Sequence, residues 1–163
     1  MYNLIELFSG IGSQYAALKN LGMEVDVKAT CEWDIHAFVA YDAIHNSPEL
    51  PFEVLKMSKE ELLEQLRKYN LSNDGKNPME YEILRAFSVA SLRRIYAAIG
   101  RSKNYVDVSK VSGKELPKHI DIMTYSFPCQ DLSNVGAFHG YNLGIDKPQT
   151  KEALSYDIQQ IEI

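Results

Sequence analysis

The feature that most constrains the fold is an alternation of periods at the N-terminus. Leu4-Ile5-Glu6-Leu7-Phe8 reads as a strand, Ser9-Gly10-Ile11-Gly12 as a glycine turn, and Ser13 to Leu21 as a helix with Tyr15, Ala16, Leu18 and Leu21 near helical spacing. Gly22 stands where glycine favours ending a helix. Val25 to Thr30 then returns to strand composition before Cys31-Glu32-Trp33. Strand, turn, helix and strand make a βαβ unit, whose strands run parallel because the connection crosses the sheet. A parallel sheet needs helices on its faces, so the expected class is α/β.

Further along, Asp34 is placed to cap a helix running through Ala37, Phe38, Tyr41 and Ile44, which Ser47-Pro48 closes. From about residue 47 to residue 103 the pattern turns wholly helical. Ser58-Lys59-Glu60-Glu61 is a capping box ahead of Leu62, Leu63 and Leu66, and Asn73-Asp74-Gly75-Lys76-Asn77-Pro78 is a loop signal. One helix is expected from Met79 to Ile99, with Ile83, Leu84, Phe87, Leu92, Ile95 and Tyr96 inward. This stretch reads as a packed helical insertion between strands, and Arg93, Arg94, Arg101 and Lys103 are close enough in sequence for a local basic patch. Tyr105-Val106-Asp107-Val108 and Ile120 to Tyr125 resume strand composition. After Ser126-Phe127-Pro128-Cys129-Gln130 comes a polar loop spaced by Gly136, Gly140 and Gly144, and Leu154, Ile158 and Ile161 then keep helical spacing.

A chain of 163 residues with 45% hydrophobic content is ordinary for one globular domain. The formal net charge of -5 argues against wrapping nucleic acid with the whole surface, since phosphate neutralisation needs clustered Lys and Arg. No apolar run approaches the roughly 20 residues of a membrane span, and the N-terminus enters a strand without a signal-like region, so the expectation is a cytoplasmic protein with no membrane. Two cysteines, Cys31 and Cys129, supply neither a disulfide framework nor a four-ligand metal site, and His36, His45, His119 and His139 share no metal spacing. No metal is expected.

The proline before Cys129 stops the strand and presents the thiol at the strand's carboxyl end, where open α/β sheets do chemistry. A free cysteine is otherwise a small buried hydrophobe. The N-terminal unit favours chemistry, because a glycine turn followed by a second strand closing on an acid places a nucleoside cofactor with the acid on its ribose hydroxyls. The turn is shorter than the full G-x-G-x-x-G; a pyrophosphate needs close backbone at a helix N-terminus, so the short form favours the amino-acid tail of S-adenosylmethionine over NAD. Glu32 would accept from the ribose. Trp33 is an adenine-stacking face or a core aromatic, and Asp107 is an acceptor for the adenine amino group or a solvated turn residue.

Phe8-Ser9-Gly10-Ile11-Gly12, Glu32-Trp33, Asp107-Val108 and Ser126-Phe127-Pro128-Cys129-Gln130 with Ser133 and Gly136 resemble the first four motifs of the DNA cytosine-5 methyltransferases, in the family's order. The resemblance implies a Rossmann-like S-adenosylmethionine-dependent methyltransferase fold, incomplete, with residues 1–163 forming a partial catalytic domain and the helical insertion at about 47–103. It implies that Phe8, Gly10, Ile11, Gly12, Glu32, Trp33, Asp107, Val108, Pro128 and Leu154 line the cofactor pocket. Cys129 would be the nucleophile, with Gln130 and Ser133 contacting DNA and the loop to Gly140 closing over a flipped cytosine. The chemistry requires a thiolate: carbon 5 of cytosine attacks a sulfonium methyl only after addition at carbon 6 makes the ring an enamine.

The chain departs from the family pattern at Val135-Gly136-Ala137-Phe138-His139-Gly140, where a basic stretch is usual, and at Thr150-Lys151-Glu152. The family's Glu-Asn-Val and Gln-x-Arg-x-Arg segments, target-recognition region and closing helix have no counterpart in this sequence. The implied partners are DNA and a C-terminal half or second subunit supplying those parts, in a restriction-modification or phage system, and the isolated chain is expected to be inactive. The alternatives are a non-catalytic fragment or binding module, or methylation of tRNA; a nicotinamide dehydrogenase would leave Pro128-Cys129-Gln130 without a role.

Overall fold

The structure, a computed structural model, describes residues 1–125. Residues 1–108 and 117–125 form one compact unit, and the described residues 109–116 belong to a second. In the first, β1 (Tyr2–Leu7), β2 (Val25–Cys31) and β3 (Ile122–Tyr125) make a parallel sheet in the order β2-β1-β3. α1 (Ser13–Asn20) joins β1 to β2. Between β2 and β3 come α2 (Ile35–His45), α3 (Phe52–Lys56), α4 (Lys59–Leu66), α5 (Tyr81–Ala86) and α6 (Val89–Arg101). The chain then returns on the other side of β1, so the strand order reverses between β1 and β3. Ligands of open parallel sheets bind beyond the carboxyl ends at such a reversal. In the second unit, Ser112 and Glu115 close a turn through Glu115 N to Ser112 O (2.8 Å) and Ser112 N to a Glu115 carboxylate oxygen (3.2 Å).

β1 is central, and Leu4, Ile5, Glu6 and Leu7 are all buried, the near-continuous burial of a strand covered on both faces. The helical core joins Ile35 and Phe38 of α2 to Leu62, Leu66, Leu84, Leu92 and Ile95, with α6 packed against α2, α3 and α4. The helices expected as an insertion thus share a core with the helix that follows β2. The capping box forms: Ser58 Oγ accepts from Glu61 N at 3.2 Å, and Glu61 Oε2 from Ser58 N at 2.8 Å. Ser58→Ala is expected to cost about 1 kcal/mol of stability, measured by urea denaturation; an unchanged midpoint would contradict the cap's contribution.

Three expectations are corrected. The Met79–Ile99 helix is two helices, because Phe87 is extended (ψ 147°) and Ser88 Oγ accepts from Ser91 N at 3.1 Å, starting α6 anew. Ile83, expected inward, lies exposed on α5. Tyr105-Val106-Asp107-Val108 is not a strand: pairing with β2 is a single bridge between Thr30 and Asn104, and Val106 has a left-handed φ of 67°. The cause is Asn104, whose Oδ1 accepts from both Glu32 N (3.0 Å) and Val106 N (2.9 Å), substituting for a ladder. Of the residues expected to make a basic patch, Arg101 is ion-paired with Asp42, Arg93 donates to Met57 O (3.0 Å) and Lys103 to Val27 O (3.0 Å).

Candidate functional site

Beyond the carboxyl end of β1 the backbone turns through left-handed positions at Phe8 (φ 53°), Gly10 (φ 54°) and Gly12 (φ 81°), and Gly12 N donates to Ser9 O at 2.8 Å. The two glycines serve different needs. At Gly12 a Cβ would lie 2.4 Å from His45 Nε2 and 2.7 Å from Tyr41 Cε2. At Gly10 nothing lies within 4 Å of that position, so the turn is open to a ligand there.

Glu32, past the end of β2, reaches this turn: Oε2 accepts from Gly10 N at 3.0 Å and Oε1 from Asp34 N at 2.9 Å. Asn104 completes the link to the third segment, donating through Nδ2 to Glu32 O at 2.9 Å while its Oδ1 holds Glu32 N and Val106 N. The glycine turn, Glu32 and the approach to Asp107 therefore form one hydrogen-bonded rim. Trp33 is half-buried against the helical core. Asp107 accepts from Asn70 Nδ2 at 2.8 Å, Val108 is half-buried and Ile11 exposed. Leu71 and Ser72, which follow Asn70, are buried, and Ser72 N donates to Trp33 O at 2.9 Å. The helical stretch thus contributes to the same rim.

Beneath the turn, Glu6 is fully buried, accepting from Tyr15 N (3.0 Å) and Tyr41 Oη (2.7 Å). Cys31 is buried, its Sγ 3.5 Å from Val106 O, and burial, with the charges of Glu32 and Asp107, pushes its thiol up to about 12. Sequence reasoning missed Asn70, Asn104 and Glu6. A charge inside an otherwise apolar central strand is the signal that could have found Glu6; the asparagines act through partners distant in sequence and leave none. Pro128, Cys129, Gln130, Ser133 and Leu154 lie outside the described residues. Among the described residues no group of three His, Cys, Asp or Glu side chains could hold a metal, and no helix is long and apolar enough to cross a membrane.

A mixed α/β unit with a parallel three-stranded sheet, and loops joined at its carboxyl edge, is consistent with the class of S-adenosylmethionine-dependent methyltransferases. Residues 88–161 match the model of the C-5 cytosine-specific DNA methylases. The chain is 35% identical over 161 residues to the orphan methyltransferase M.SssI of Spiroplasma monobiae, covering 96% of this chain and 41% of that protein. It is 31% identical over 145 residues to the type II methyltransferase M2.ScrFI of Lactococcus lactis subsp. cremoris, covering 86% and 38%. A shorter match, 44% over 63 residues, is to the orphan methyltransferase M.Rho11sI of Bacillus phage rho11s, covering 37% and 12%. The chain is thus similar to the C-5 cytosine-specific DNA methylases, and spans about two fifths of the length of the first two relatives.

Proposed function

We propose that this chain is the cofactor-binding and nucleophile-carrying portion of a DNA cytosine-5 methyltransferase. The observation that carries the reading is the 3.0 Å hydrogen bond joining the glycine turn after β1 to the acid after β2, at the sheet edge where a nucleoside ligand would lie. The residues fit S-adenosylmethionine: open space at Gly10, a carboxylate on the same rim, and Asp107 on the adjoining segment. When bound, the cofactor supplies an electrophilic methyl group on a sulfonium. Gly10 and Gly12 let the backbone approach its amino-acid portion, Glu32 accepts from the ribose hydroxyls and Asp107 from the adenine amino group. Trp33 would offer a stacking face to the adenine, and Phe8, Ile11, Val108, Pro128 and Leu154 would complete the apolar lining.

The Cys129 thiolate would add to carbon 6 of a cytosine flipped from the duplex, passing the ring electrons to carbon 5; carbon 5 would take the methyl as the S–CH3 bond breaks and its electron pair stays on a neutral thioether. Loss of the carbon 5 proton then expels the thiolate, restoring Cys129 and leaving 5-methylcytosine. Gln130 and Ser133 would contact the DNA backbone, and a C-terminal complement, in the same chain or a second one, would supply target recognition. The test is DNA containing 5-fluorocytosine: fluorine cannot leave as a proton, so the complete enzyme containing this chain should be trapped as a covalent adduct mapping to Cys129. A trapped adduct at any other residue, or none from an enzyme that methylates cytosine, would overturn the mechanism.

Glu32→Ala is expected to weaken S-adenosylmethionine binding to the complete enzyme by about 1–3 kcal/mol, the range for losing the partner of buried polar groups. Calorimetry showing unchanged affinity would remove Glu32 from the site.

A further inference from the structure

Helix α1 begins with four backbone N–H groups that lack helical partners. Gly12 at its N-cap has no side chain to offer, and its first turn carries no acid. That end of a helix attracts anions, and in dinucleotide-binding folds it holds the ligand's phosphates. Here the position is filled by the protein. The Glu6 side chain comes from the preceding strand, with Oε1 taking Tyr15 N at 3.0 Å and Oε2 taking Tyr41 Oη at 2.7 Å, and no part of Glu6 is exposed. The turn above it cannot shift easily, since Tyr41 and His45 fill the space beside Gly12 and His45 Nε2 lies 3.0 Å from Ile11 O.

We infer that Glu6 is a positioning residue that fills the anion position at the N-terminus of α1 from within, presetting the glycine turn for a ligand that brings no phosphate to that helix end. The inference rests on the proposal that the turn receives the cofactor, and it deepens it. A pyrophosphate would meet a like charge at the same terminus, whereas a sulfonium with an amino-acid tail need not place an anion there.

The groups facing the carboxylate are Tyr15 from α1 and Tyr41 and His45 from α2; its register partners on the flanking strands, Thr30 and Thr124, carry no charge. Burial pushes the Glu6 carboxyl above the ordinary 4.5, outweighing the hydrogen bonds from Tyr41 and Tyr15 and the nearby His45. Because the folded value is raised, the stability contributed by its protonated form is complete below about 4.5 and lost as pH rises through the folded value. Keeping this acid ionised therefore costs stability, as suits a residue that serves the turn.

The nitrogen-15 labelled complete enzyme containing this chain tests the inference without cofactor. In Glu6→Leu the Tyr15 amide should exchange about tenfold faster or more, the loss of a hydrogen bond to a charged group, while Leu4, Ile5 and Ala29 keep their protection. ADP, used as the phosphate probe, should leave the Ser13, Gln14 and Tyr15 amides of the wild type unshifted. Unchanged Tyr15 exchange in Glu6→Leu, or saturable ADP shifts at those amides in the wild type, would overturn the inference. Should Glu6→Leu fail to fold, Glu6→Gln decides: the wild-type Tyr15 amide shift should titrate above pH 4.5 and the variant's should not. Persistence of that titration in Glu6→Gln would overturn the inference as well. Failure to bind S-adenosylmethionine leaves each of these outcomes standing and counts against the cofactor reading alone.

Discussion

Gly12→Ala is expected to destabilise the chain by about 2–5 kcal/mol, the sum of about 1–3 for forcing a methyl into filled space and about 1–2 for a side chain at left-handed φ. The clash involves side-chain ends, 2.4 Å to His45 Nε2 and 2.7 Å to Tyr41 Cε2, which would be a small matter if they could swing away. They are held. Tyr41 is buried with its hydroxyl bonded to Glu6, and its ring is tilted against that of His45 at 4.7 Å. Gly10→Ala is the control, since its Cβ meets nothing within 4 Å and only the cost of its φ of 54° remains. Urea denaturation should therefore show a clearly larger loss for Gly12→Ala than for Gly10→Ala. Equal losses would mean that the space beside Gly12 is not filled as described.

Cys129→Ser is expected to abolish both adduct formation and methyl transfer in the complete enzyme. A serine hydroxyl is far less ionised than a thiol at neutral pH and a poor nucleophile towards carbon 6. Cofactor binding should largely survive, which separates loss of chemistry from loss of fold. The other cysteine is an internal control: Cys31 is buried on β2 with its thiol pushed up to about 12, so almost none of it is thiolate near neutrality. Cys31→Ala should retain the adduct with 5-fluorocytosine DNA. A Cys129→Ser enzyme that methylates at near wild-type rate would refute the mechanism.

Much of this molecule is legible from local chemistry. The turn at Gly10 and Gly12, the Asp34 cap, whose Oδ1 accepts from His36 N at 2.9 Å, and the Ser58 capping box all act within a few residues of chain, and each forms as its sequence pattern implies. The α/β class follows from the same local periods. The missed helix break was also written locally, in Ser88 three residues before Ser91, but the apolar spacing running through it gave the stronger pattern.

What the sequence alone determined is the set of parts: a βαβ start, helices with their caps, an acid after the second strand, and motifs in the order of a DNA methylase family. What only the tertiary structure decided is how those parts join. Asn104 replaces a third strand partner with its side chain because Glu32 and Val106 bring two N–H groups within reach, and Asn70 meets Asp107 across 37 positions of sequence. Glu6 reads as one polar residue in an apolar strand until folding brings α1 and α2 over it. A hydrogen bond between residues far apart in sequence has no periodicity, and its value depends on excluding water. Both conditions arise only once the sheet and helices have packed.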